Sequence, residues 1–125
     1  MKPAQCLEAM ENAAPILRRA GQLEQTFRSL YARSLDMAVE QDDGKFYYYE
    51  GNVNQAKWMG IPTTIDVTGK EQVSASGKRK LARWHKGMKN LDLWIWVAGS
   101  SNGKPPVYEV VRMLSGTGDT NGVTC

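Results

Sequence analysis

The segment Leu91-Asp92-Leu93-Trp94-Ile95-Trp96-Val97-Ala98 alternates as a β-strand does, with Leu91, Leu93, Ile95 and Val97 on one face and Asp92, Trp94, Trp96 and Ala98 on the other. A sheet packed on helices commonly buries an aliphatic row. The aliphatic face is therefore expected to be sealed, leaving the tryptophan face for a second layer, a ligand or water. Asp92 on the tryptophan side favours a wet cleft, because a carboxylate there needs water or a paired donor. Across a loop at 99–106, Val107 to Leu114 reads as the antiparallel partner of this strand.

Upstream the periodicity changes from two to that of a helix. Pro3 suits a first helical turn, and Leu7, Met10 and Ala14 follow at helical spacing, so a short helix over 3–14 is predicted to end or kink at Pro15. Ile16, Ala20, Leu23, Phe27, Leu30, Ser34 and Met37 then recur at steps of four and three, widened by Leu17, Tyr31, Leu35 and Ala38 into a broad stripe suited to a sheet. Gly21 weakens this long helix locally. Asp42-Asp43-Gly44 is a turn, and 45–50 reads as an aromatic strand with Phe46 and Tyr48 opposite Tyr47 and Tyr49. The stretch 52–59 is open to a helical or a strand reading, and 63–68 with 71–76 reads as a hairpin around Gly69-Lys70. Helices first and strands afterwards imply an α+β domain: N-terminal helices, one of them long, on one face of a curved antiparallel sheet, cone-like or two-layer. With 125 residues, of which 42% are hydrophobic, the chain is expected to be one domain, 1–125, with a mobile Gly/Thr/Asn-rich tail at 115–125.

Two cysteines, Cys6 and Cys125, and a single histidine offer neither a disulfide framework nor a metal spacing, so no metal or other cofactor is expected. No apolar run is long enough to span a bilayer and none resembles a signal segment, which reads as a cytoplasmic chain without membrane contact. The glycines near the C-terminus are followed by no helix, which argues against a phosphate loop.

Lys78, Arg79, Lys80, Arg83, Lys86 and Lys89 crowd twelve positions without an acid and are interleaved with Trp84 and His85. The segment reads as a basic helix with Leu81, Trp84, His85 and Met88 on one face, or else as a strand. Cations mixed with stacking surface suit nucleic acid or an acidic protein. The leading reading is thus a non-enzymatic binding domain using these six cations with Trp84, Trp94 and Trp96. Two other readings compete. One is a small-molecule pocket, with or without catalysis, inside a cone and lined by Tyr47, Tyr49, His85 and Asp92. The other is pairing of two copies, a homodimer, through the tryptophan face. His85 is the one side chain whose unperturbed titration lies near neutrality, and Asp66, Asp92 and Glu109 are its candidate partners.

Overall fold

A computed structural model describes residues 1–99 and 104–111. The expected strand partner therefore lies within these residues only as far as Val111, and the expected tail at 115–125 falls outside them. Helical conformation runs from Pro3 to Met37 as α1 (Pro3–Leu17), a 3-10 segment (Arg18–Leu23) and α2 (Glu24–Met37). The break is at Gly21, not at Pro15. Pro15 is accommodated inside α1, whereas Gly21 takes φ 61 and ψ −123, a backbone conformation that side chains with a Cβ resist. The stripe on α1 also differs from the expected one. Leu7 is exposed while Ala9, Ala13 and Leu17, spaced four apart, are buried against Phe27, Leu30 and Tyr31 of α2, where small side chains allow close approach.

Four strands follow in an antiparallel sheet: β1 (Val39–Glu40), β2 (Phe46–Tyr49), β5 (Trp94–Ala98) and β6 (Val107–Val110), ordered β1-β2-β6-β5. Between β2 and β5 the chain makes an excursion through helix α3 (Asn52–Met59), a hairpin of β3 (Thr63–Ile65) and β4 (Glu71–Val73), and helix α4 (Ala75–Asn90). The result is an α+β fold of two layers. Phe46, Tyr48, Tyr108, Val110 and Trp94 face the helices in one core with Met88 of α4, and the other side of the sheet carries the exposed Val39, Tyr49 and Ile95.

The expected faces of β5 are reversed. Trp94 pairs with Val110 and Trp96 with Tyr108, so both indoles do share a side, but that side faces the helices, which cover Trp94 and leave Trp96 half-exposed. Trp94 is 1% exposed, while Ile95 and Val97 stand 50% and 45% exposed on the face expected to be sealed. The cause lies just upstream. Leu91 and Asp92 form a turn in which Asp92 adopts φ 60, a left-handed conformation that Asp tolerates, and the Leu93 amide bonds back to the Met88 carbonyl at 3.0 Å. Strand alternation starts only after this turn, so Leu91 and Leu93 are buried as part of the helix exit rather than as strand residues.

Two glycines let α4 sit close. A Cβ on Gly87 would stand 2.4 Å from Phe27 Cζ, and one on Gly77 would stand 2.7 Å from both Ile61 and Val73. Replacing Gly21 tests the broken N-terminal helix. In a continuous helix Gly21→Ala would stabilise by up to about 1 kcal/mol, whereas the observed backbone makes it destabilising by about 1–3 kcal/mol. Urea unfolding of the variant reads the sign, and a gain in stability would contradict the break.

Candidate functional site

Ser74 caps α4, its hydroxyl accepting from the Gly77 amide at 3.1 Å, and the helix continues for four turns to Asn90. This resolves the basic segment as a helix. Gly77, Leu81 and Met88 are buried, and Trp84 and His85 are half-buried beside them. At 100° per residue the cations fall on the other side: Arg79, Arg83 and Lys86 run along its middle, Lys78 and Lys89 along one flank, and Lys80 along the other. All six are exposed. The ion pairs among the described residues use Arg28, Arg33, Lys45 and Lys57, so none of these six cations is neutralised by a protein carboxylate there. The chain holds 16 Lys/Arg and 13 Asp/Glu, so the residues other than these six carry ten cations against thirteen acids. The positive charge of the molecule is concentrated on one helix face.

Beneath that face lies a cluster of four rings. Trp94 stands 4.9 Å from Tyr108, 5.3 Å from Tyr48 and 5.7 Å from His85, centroid to centroid, and His85 stands 5.6 Å from Tyr108. These are the tilted and edge contacts that aromatic quadrupoles favour. The indole N–H of Trp94 donates to the Ser34 hydroxyl at 3.0 Å, and that hydroxyl donates to the Tyr31 carbonyl at 2.8 Å. The interior expected to form a cone-shaped cavity is occupied here by these rings.

A line of hydrogen bonds leaves the cluster. His85 Nε2 bonds Gln55 Oε1, the Gln55 amide donates to the Tyr48 hydroxyl at 2.8 Å, and Tyr48 donates to Glu50. Arg33 completes it with a two-pronged contact to Glu50 at 3.0 and 2.5 Å. Because Gln55 Oε1 can only accept, His85 is the donor, in its Nε2–H form. Burial drives the imidazole pKa down to about 4, with the Lys89 charge adding to it. Burial acts on Glu50 in the opposite sense, raising it, but hydrogen bonds from Arg33 and Tyr48 and the Arg33 charge outweigh burial and hold the carboxyl below its ordinary value. Tyr48 is pushed up, by burial first and then by its bond to Glu50. Such a line fastens α2, β2, α3 and α4 to one another. Its polar groups satisfy each other, as buried groups must, which is a positioning role.

The remaining expected site residues do not converge. Tyr47 and Tyr49 lie on the outer face of the sheet. Tyr47 donates to Asp43 at 2.6 Å, a bond that carries its own pKa up to about 12. Asp92 sits in the turn after α4, so Tyr47, Tyr49, His85 and Asp92 form no common lining. None of the three carboxylates considered for His85 meets it. Asp66 closes the β3–β4 turn, where the Thr68 hydroxyl and the amides of Lys70 and Thr68 hold it at about 2. Glu109 pairs with Lys45 at 3.9 Å on the outer face. Among the tryptophans assigned to contact, Trp94 is withdrawn by burial, Trp84 is half-buried with Lys80 Nζ 6.0 Å from its ring, and Trp96 is 54% exposed. A homodimer face made of tryptophan would have Trp96 alone on β5; the larger exposed apolar area of that strand is Ile95 and Val97 on the opposite side. No group of three or more His, Cys, Asp or Glu side chains gathers among the described residues, and no helix there is long and apolar enough to cross a membrane.

Sequence reasoning did not find Arg33, Glu50 or Gln55, which share no motif, and it placed Ser34 only as a member of the helical stripe. Compared with known proteins, the chain matches no family model, no curated protein and no solved structure.

The withdrawal of His85 has a measurable consequence. A base whose pKa falls on folding binds its proton more readily in the unfolded chain. The native state therefore keeps its full advantage above about pH 6.5 and loses it as pH drops from 6.5 towards 4, by at most about 1.4 kcal/mol per pH unit. Glu50 and Asp66, both lowered, lose their contribution only as pH falls through values below the ordinary carboxylate range. The urea midpoint of the wild type is expected to fall between pH 7 and pH 5, and that of His85→Gln to fall much less. An equal fall in both would contradict a buried, neutral His85.

Proposed function

We propose that this chain is a non-enzymatic binding domain that docks on the phosphate backbone of nucleic acid through the outer face of α4. The supporting observation is the unneutralised row of Lys78, Arg79, Lys80, Arg83, Lys86 and Lys89 on a helix whose inner face is immobilised by the ring cluster. From Lys78 to Lys89 the row is about 16 Å long, a reach that meets several phosphates at once. Arginine and lysine are both present, so the face offers planar forks and point charges to the same backbone. Half-exposed Trp96 and Trp58 and the partly open ring of Trp84 offer aromatic surface on which bases can stack. An acidic protein would be attracted by the same charge. Phosphate is preferred because six cations stand on this face with no carboxylate partner among the described residues, a density of like charge that a phosphate backbone neutralises along its length.

Binding by such a face releases counterions and weakens with salt. Anisotropy of a labelled single-stranded oligonucleotide, titrated between about 50 and 200 mM salt, is expected to show affinity falling on a log–log line. Charge reversal of Arg79, Arg83 and Lys86 is expected to weaken binding and to reduce the slope by roughly 2, at about 0.7 per phosphate contact on a single strand. Because all three are exposed and form no ion pair among the described residues, the variant should unfold at nearly the wild-type urea midpoint. Absence of binding at low salt, or binding indifferent to salt, would contradict the proposal. Binding of polyglutamate in preference to the oligonucleotide would replace phosphate by an acidic partner.

A further inference from the structure

Between α2 and α3, two helices that pack on α4, lies an open, shallow cleft of about 390 Å³ lined by Gln25, Thr26, Ser29, Trp58 and Met59. This volume is within the range of small-ligand sites. The Arg33 guanidinium lies 4.8 Å from the centre of the Trp58 ring, and the same Arg33 is held by Glu50 through two hydrogen bonds. One contact of the indole is therefore fixed by an immobilised planar cation, and the ring remains 43% exposed. Large apolar rings left exposed in a concave setting are informative where scattered surface residues are not.

The chemistry of the lining is narrow. It holds a flat ring, a thioether, one carboxamide and two hydroxyls, and no charged side chain. The carboxamide both donates and accepts, as do the hydroxyls, which suits the edge of a heterocycle, and the indole suits its face. Arg33 commits two of its five N–H donors to Glu50, and that carboxylate offsets its charge. The phosphate ligands are on the adjacent helix. Gly87 of α4 lies against Phe27, the residue after Thr26, and Met59 of the cleft and Trp84 of α4 both pack on the two hydrophobic clusters. Both helices that form the cleft thus pack against α4, so a strand docked on α4 has this neutral cleft on a neighbouring element.

From this arrangement we infer that the cleft between α2 and α3 receives an unpaired nucleobase, stacked on Trp58 and bonded at its edge by Gln25, Thr26 or Ser29. This deepens the phosphate-docking proposal and rests on it: α4 supplies affinity for any phosphate backbone, and the cleft adds a preference for single strands that carry bases.

The test compares three labelled polymers: an oligothymidylate of about 12 nucleotides, an abasic oligomer of the same length and charge, and a duplex. The wild type is expected to bind the oligothymidylate about tenfold more tightly than the abasic oligomer, as one stacked base allows, and more tightly than the duplex. Trp58→Ala is expected to abolish that preference while leaving the salt slope unchanged, because the slope counts phosphates. Ser29→Leu, which fills the cleft and leaves the indole in place, is expected to do the same, so a folding defect in one variant does not decide the outcome. Equal affinity of the wild type for oligothymidylate and abasic oligomer, or a preference that survives both substitutions, would overturn the base cleft while salt-dependent binding through α4 stands. Loss of salt-dependent binding to all three polymers would overturn the phosphate reading and the cleft with it.

Discussion

Burial of Trp94 is the constraint on which the rest of the arrangement depends. An indole brings the largest apolar surface of any side chain into the core but also an N–H that must not be left unpaired. Ser34 on α2 meets that requirement, and Tyr48, Tyr108 and His85 close around the ring from β2, β6 and α4. One residue thereby fixes the distance from the sheet to two helices. The same contact determines which face of α4 is turned to solvent. With His85 held against Trp94 and bonded to Gln55, and with Gly87 in contact with Phe27, α4 has little rotational freedom, and its cations point away from the core.

The sequence was legible where periodicity ran uninterrupted. Phe27, Leu30, Tyr31, Ser34, Leu35 and Ala38 of the expected stripe are buried while Met37, at the end of α2, is exposed; the alternation of Phe46 and Tyr48 with Tyr47 and Tyr49 is observed, and the hairpin around Gly69 forms with Thr63 opposite Val73. It was misleading where one backbone torsion reset the phase. Asp92 in the left-handed region separates Leu91 and Leu93 from the strand they seemed to begin, which exchanges the inner and outer faces of β5. Gly21 does the same between two helices that share one apolar pattern. Alternation identifies which side chains lie together, and here it correctly placed both indoles on one side. It does not say which of two apolar faces is covered, because that depends on what the helices bring.

The basic stripe was legible as a composition, yet its meaning came from the fold. A run of six cations could have been divided between two sides of a strand or neutralised by acids elsewhere in the chain. Instead the helix collects them on one side, and none of the ion pairs among the described residues uses any of the six. The polar line from His85 to Arg33 had no sequence signature. Its members come from α2, the end of β2, α3 and α4, and each is an ordinary residue until tertiary contact buries it. Hydrogen bonds of this kind specify one packing of the excursion against the sheet rather than another.

Quenching of tryptophan fluorescence by acrylamide tests the placement of Trp94 most directly. The chain has four tryptophans, of which Trp94 is 1% exposed and Trp96 54%. Trp94→Phe should remove the component of the emission that resists quenching, and Trp96→Phe should remove a component that is readily quenched. If Trp94→Phe instead removed an accessible component, the indole would lie at the surface, and both the packing of α4 and the presentation of its basic face would be wrong.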